Sequence, residues 1–245
     1  MSGHAMPAAT TPTTGRMGVV LVAIAAAWLA AIVAQWSGEA VLLHHHTLIE
    51  HGPPPWIAVG LFLVGWQVML AAMMLPASLP TIRVVDAAIG HRATFLLAFA
   101  ATWSVFGLFA FGGDFILHHV VDATPWLAAR PWLIEAGVLG MAGFYQLSPF
   151  KRRSLAACRH PVDLLATQTH RSRAFDLGVA HAVDCLGSSW ALMLLMFAEG
   201  FANLWWMAAL TGVMVYETTS PHGQRAALAV GVVLLALSVG TLVAG

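Results

Sequence analysis

Residues 176–198 form a membrane-length apolar stretch, D-L-G-V-A-H-A-V-D-C-L-G-S-S-W-A-L-M-L-L-M-F-A, with polar side chains in its interior. His181, Asp184, Cys185, Ser188 and Ser189 all lie inside it. A charge near the centre of a bilayer costs at least ~2.5 kcal/mol on insertion scales, so residues of this kind point to function. At the helical period, His181, Asp184, Cys185 and Ser188 share one face. His181 and Cys185 are four apart, the spacing at which two ligands from one helix converge on a metal. Imidazole and thiolate suit zinc or copper, and thioether sulfur shifts the balance towards Cu(I). Asp184 fits as the acceptor of the second imidazole N–H, or as a ligand itself. Two other roles compete. The same groups could hydrogen-bond neighbouring helices, or Asp184 and His181 could form a proton relay, as in pumps.

Methionine supplies the next candidates. In W-Q-V-M-L-A-A-M-M-L-P-A-S-L-P, Trp66, Met69 and Met73 share a helical face, with Met74 beside it. Met73 and Met74 are expected at the depth of His181. Pro76 and Pro80 are expected to end that helix at the cytoplasmic boundary. The remaining methionines read as polarizable gap fillers. A second polar group falls on the other side of the membrane: His44, His45, His46, His51, His118 and His119, with Glu39, Glu50, Asp114 and Asp122. Asp114, His118 and Asp122 follow at i,i+4 spacing, and His44, Asp114 and His118 are the candidates for an outer-rim metal site. The simpler alternative is a solvated, pH-sensitive rim.

The elements that carry these residues follow from composition. Of 245 residues, 59% are hydrophobic and 9% charged, and the mean hydropathy is +0.79. Soluble domains carry about 25% charged residues, so an integral membrane protein is expected. Lys+Arg and Asp+Glu are 11 each, a balance that suggests no nucleic-acid partner. The two cysteines, Cys158 and Cys185, cannot make a disulfide framework. Cys158 is expected in a cytoplasmic loop and Cys185 in a helix, with no structural bridge between them.

Seven stretches approach the ~20 apolar residues that a span needs: 17–36, 56–75, 93–113, 132–149, 176–198, 203–217 and 226–244. The sixth is the shortest. The third is expected to continue as helix to about residue 123. With the N-terminus inside, ten of the eleven basic residues are cytoplasmic and Arg130 alone faces out, which selects that orientation. The expected fold is an all-α, polytopic transmembrane bundle of six to seven helices over 16–245, preceded by an Ala/Thr/Pro-rich, disordered tail over 1–15. Small residues at Ala136, Gly140, Gly143, Gly231 and Ser238 suit close helix approach.

Three motifs together resemble a bacterial family of predicted metal-binding integral membrane proteins. The first is W-x2-M-x3-M-M-x-P-x3-P at Trp66, Met69, Met73, Met74, Pro76 and Pro80. The second is G-x-Y-Q-x2-P-x-K at Gly143, Tyr145, Gln146, Pro149 and Lys151, followed by C-R-x-P at Cys158, Arg159 and Pro161. The third is G-x2-H-x3-C-L-G-x2-W-A-L-M from Gly178 through His181 and Cys185 to Met193, with Asn203, Leu204, Trp206, Met207 and Glu217 further on. The resemblance covers roughly 40–220 and implies metal binding in the bacterial cytoplasmic membrane. It adds Glu217 to the secondary ligand candidates, Met73 and Met74. Where the family pattern has further cysteines this chain has Ser154, Ser188 and Ser189, and Thr218 replaces a lysine. Hydroxyls are much poorer ligands for a soft metal than thiols.

The expected function is metal handling, with copper favoured and zinc the alternative. His181 and Cys185 would be ligands, Asp184 their supporting partner, and a metalloenzyme or metallochaperone the partner protein. No catalytic residue stands out. The rival functions are a membrane metal-dependent oxidoreductase working at the outer rim, and a metal-free proton-coupled transporter using Asp184.

Overall fold

A computed structural model describes residues 13–37, 54–160, 173–199 and 203–245. Among these residues there are nine helices and no strand. They are α1 (Thr13–Ser37), α2 (Pro55–Ile89), α3 (Arg92–Asp122), α4 (Pro125–Ala128), α5 (Pro131–Leu147), α6 (Pro149–Arg159), α7 (Arg173–Glu199), α8 (Leu204–Thr219) and α9 (Gly223–Ala244). The tail residues 1–12 and His44 lie outside the described residues.

Local chemistry sets many of the boundaries. Proline opens α2, α4, α5 and α6, where its missing N–H costs nothing because first-turn donors have no intrahelical partner. Ser148 caps α6 by accepting from the Lys151 N–H at 3.1 Å, and Asn203 caps α8 by accepting from the Trp206 N–H at 3.2 Å. Gly90 ends α2 in the left-handed region, φ 74°, which a side chain rarely adopts.

Five of the helices are long and apolar enough to cross a membrane: α1, α2, α3, α7 and α9. Of the other two expected spans, α5 has 17 residues, at the lower edge of the ~17–25 residue range, and α8 has 16, just below it. Helix α3 runs to Asp122, as its composition suggested.

Helix α2 departs from expectation. Pro76 and Pro80 do not end it; the helix continues through both to Ile89. Pro76 has no N–H to give to the Ala72 carbonyl one turn back. The indole Nε1–H of Trp28, on α1, donates to that carbonyl at 3.1 Å instead. A partner from a neighbouring helix is what lets proline persist inside an apolar bundle.

Contacts fix the directions of the helices. α2 and α3 are antiparallel: Trp66 Nε1 donates to the Trp103 carbonyl at 2.9 Å, and Phe62 stacks on Phe111 at 4.6 Å. α3 and α7 are parallel and touch backbone to backbone, since a Cβ on Gly178 would lie 2.4 Å from the Phe95 carbonyl oxygen. α5 and α9 form the most extensive pair. Their small residues meet as expected: the Ser238 hydroxyl donates to the Ala136 carbonyl at 2.7 Å, and a Cβ on Gly143 would lie 3.0 Å from the Gly231 oxygen.

The two ends of the bundle differ. Arg83, Arg92, Arg152, Arg153, Arg159 and Arg225 gather where α2, α6 and α8 finish. Exposed Trp36, Trp56, Trp126 and Trp205 gather at the opposite end, with Arg130. These are called the basic end and the tryptophan end below.

Candidate metal centre

Helix α7 carries the polar stripe, and α2, α3 and α6 close over it. His181 is buried, but its ring is already engaged. Nε2 lies 3.1 Å from the Ser78 hydroxyl on α2. The ring stacks between Phe95 and Phe99 of α3, each at 5.7 Å. Ser78, rather than Asp184, is therefore the hydrogen-bond partner of this histidine. Asp184 is half-buried and has no hydrogen-bond or ion-pair partner among the described residues. The imidazole is engaged from α2 and α3 instead, by the Ser78 hydroxyl and the rings of Phe95 and Phe99.

One turn further, the arrangement changes from aromatic to sulfur-rich. Cys185 is 2% exposed, and the cysteine beside it is Cys158 of α6, 8% exposed. Both are free thiols. Cys158 Sγ lies 3.7 Å from the Ser188 hydroxyl, which donates to the Cys185 carbonyl at 2.8 Å. A hydrogen bond with the Cys185 thiol, and then burial, raise the Cys158 thiol well above the usual thiol range. The third sulfur is Met74 of α2. Its Sδ is 3.9 Å from the Ser189 hydroxyl, which donates to the Cys185 carbonyl at 2.6 Å. Met74 is thus level with the Cys185–Ser189 turn, and it is Ser78 that is level with His181. Met73, 0% exposed, belongs to the same buried cluster as Met74, Cys158 and Cys185.

Cys158 is the residue that sequence reasoning misplaced. P-F-K-R-R-S-L-A-A-C-R-H reads as a basic loop, yet it folds as α6. Its inward face is Lys151, Leu155 and Cys158, at i, i+4 and i+7, while Arg152 and Arg153 face out. Ser148-Pro149 ahead of that stripe was the available signal, an N-cap followed by proline at the first helical position.

A buried ion pair seats α6. Lys151 Nζ lies 2.6 Å from Glu217 Oε2, with both side chains about 1–2% exposed. Gln146 Nε2 donates to Glu217 Oε1 at 2.9 Å. Lys151 also donates to the Ser188 carbonyl, and the Tyr145 hydroxyl donates to the Gly187 carbonyl. Both carboxylate oxygens of Glu217 are therefore occupied by protein donors. Helix α6 lies close against α7 here, since a Cβ on Gly187 would meet Ser154 Oγ at 2.5 Å.

The outer-rim candidates are less assembled. Asp114 and His118 are half-buried neighbours on α3, with Nδ1 3.6 Å from Asp114 Oδ1 and 2.9 Å from the Asp114 carbonyl oxygen. That ring nitrogen faces its own helix backbone. Among the described residues no three His, Cys, Asp or Glu side chains converge on a point. Near Cys185 lie a second thiol, that of Cys158, and the Met74 thioether that contacts Ser189.

A polytopic helix bundle with sulfur donors buried among spans of membrane length is the class that fold and site define. The chain belongs to the PpoB2 copper chaperone family, whose model matches residues 63–241. That stretch contains Met74, Lys151, Cys158, His181, Cys185, Ser188 and Glu217. No curated protein and no solved structure matches the chain.

Proposed function

We propose that this protein is a multi-pass protein of the bacterial cytoplasmic membrane that binds Cu(I) as cargo at Cys158, Cys185 and Met74 and passes it to a membrane metalloenzyme. The observation that carries this is the meeting of two free thiols from separate helices beside a buried thioether. Thiolate and thioether are the soft ligands that select Cu(I). Zinc fits less well. Its structural sites take four His, Cys or carboxylate ligands, and no three such groups converge among the described residues. The orientation of the basic end supports a cytoplasmic N-terminus.

In this account Cys185 remains a ligand, as its spacing suggested, but its partner is Cys158 rather than His181. Glu217 anchors Lys151 and is not a ligand. Lys151 holds α6 against the Ser188 carbonyl and so presents Cys158 to Cys185. Ser188 and Ser189 bond the Cys185 carbonyl and fix the local turn. Because the two thiols sit on different helices, an incoming thiol or imidazole of a client can replace one ligand while the other still holds the ion.

Copper binding to the purified full chain tests this directly. Cu(I) is titrated against a chromogenic cuprous chelator, with wild type compared to Cys158→Ser, Cys185→Ser and Met74→Leu. Each cysteine variant is expected to lose affinity by about 100-fold or more, equivalent to roughly 2.7 kcal/mol, and Met74→Leu by less. Wild-type affinity in both cysteine variants would overturn the assignment.

A further inference from the structure

Methionine is distributed in this bundle as no other large apolar residue is. Of the nine methionines among the described residues, seven lie in one continuous buried cluster with Cys158 and Cys185: Met74 and six others on α2, α7 and α8. All seven are at most 2% exposed. The buried members of that cluster include no valine or isoleucine, whereas Val19, Val22, Val64, Val232 and Val239 face outward. The thioethers are thus concentrated in the interior around the thiols, while valine is left to the outer faces.

The positions of these side chains follow one direction. Met74 is level with the Cys185–Ser189 turn. Met73 and Met69 lie beyond it along α2, towards the tryptophan end. Met193 and Met196 lie beyond Cys185 along α7, towards the same end, and Met196 is about 16 Å from Cys185 at 1.5 Å per residue. Met207 is one turn into α8, which starts at the tryptophan end, and Met214 is two turns further towards the thiols. That length is about half of the ~30 Å hydrocarbon core.

We infer that Met69, Met73, Met193, Met196, Met207 and Met214 form a second, thioether-only binding region for Cu(I), through which the ion moves between the thiol site and the tryptophan end. It rests on the proposed function only for the identity of the cargo. Thioethers are neutral and soft, so they replace the hydration of a monovalent soft cation without adding charge to an apolar interior. Several weak sites in series let an ion enter and also leave, as conduction requires. Two thiolates alone would hold the ion and give it no dry path onward.

Selenomethionine-labelled full-length protein tests this with Ag(I), a closed-shell monovalent substitute for Cu(I). X-ray absorption at the selenium edge reports a silver neighbour at selenium. The signal is expected to persist in Met74→Leu, which removes the thioether of the thiol site, and to fall by about half when Met69, Met193 and Met196, three of the six, are also changed to leucine. Leucine preserves approximate volume, and the same edge read on the singly substituted Met74→Leu protein requires no heavily altered core. Loss of the signal in Met74→Leu alone, or an undiminished signal in the multiple variant, would overturn the inference. The thiol site is judged separately, by cuprous affinity in Cys158→Ser and Cys185→Ser, so either account can fail without the other.

Discussion

Cys158 Sγ and the Ser188 hydroxyl are 3.7 Å apart, although one belongs to a short basic helix and the other to the middle of a membrane-length one. The contact places a hydroxyl at the edge of a two-thiol pair, at a position where the resemblance to the wider family implies a cysteine. Ser188→Cys should therefore add a third thiol to the site. We predict Ag(I) or Cu(I) binding tighter by about tenfold, roughly 1.4 kcal/mol, by chelator competition. Unchanged affinity would mean that position 188 does not face the metal.

The Lys151–Glu217 pair should matter for folding more than for metal chemistry. Removing one member of a buried pair leaves the other uncompensated, at a cost of about 3–5 kcal/mol, whereas replacing both by apolar residues is often neutral or stabilising. Lys151→Met and Glu217→Leu are each expected to lower the thermal unfolding midpoint in detergent sharply. The double variant is expected to recover most of that loss. If the double variant is as unstable as the single ones, packing rather than charge explains the site.

Trp28 and Pro76 should be coupled across the α1–α2 interface. Trp28→Phe leaves the buried Ala72 carbonyl without a donor, a loss of about 1–3 kcal/mol. In a Pro76→Ala background the helix supplies that donor itself, so the same tryptophan change should cost much less. A double-mutant cycle of thermal stabilities measures the difference. Equal costs in the two backgrounds would show that the indole hydrogen bond is not what permits the proline.

His181 should prove dispensable for copper. His181→Phe combined with Ser78→Ala keeps an aromatic ring between Phe95 and Phe99 and leaves no hydroxyl unpartnered. Copper content after reconstitution is expected to match wild type. Loss of copper in this variant, with retention in Cys158→Ser, would restore the His181–Cys185 pairing that spacing along one helix suggests.

The parts of the fold that were legible in the sequence were those set by composition over a whole helix. The long spans, the extension of α3 to Asp122 and the small-residue seam between Gly143 and Gly231 follow from local pattern. What was not legible depended on a second helix. Pro76 reads as a helix end because its substitute donor, Trp28, is 44 positions away in the chain. Cys158 reads as a loop residue because Lys151 and the neighbouring arginines hide a stripe that becomes apolar only when Glu217 pairs with the lysine. His181 and Cys185 do lie on one face, as their spacing requires. That spacing could not reveal that α3 brings phenylalanines to the first and α6 a thiol to the second.

The most direct test of the central claim is copper-edge X-ray absorption on the full chain loaded with one equivalent of Cu(I). A sulfur-only ligand shell is predicted, losing one sulfur in Cys158→Ser and unchanged in the His181→Phe/Ser78→Ala variant. Imidazole scattering in the wild-type spectrum, or a spectrum that Cys158→Ser leaves unaltered, would contradict the account.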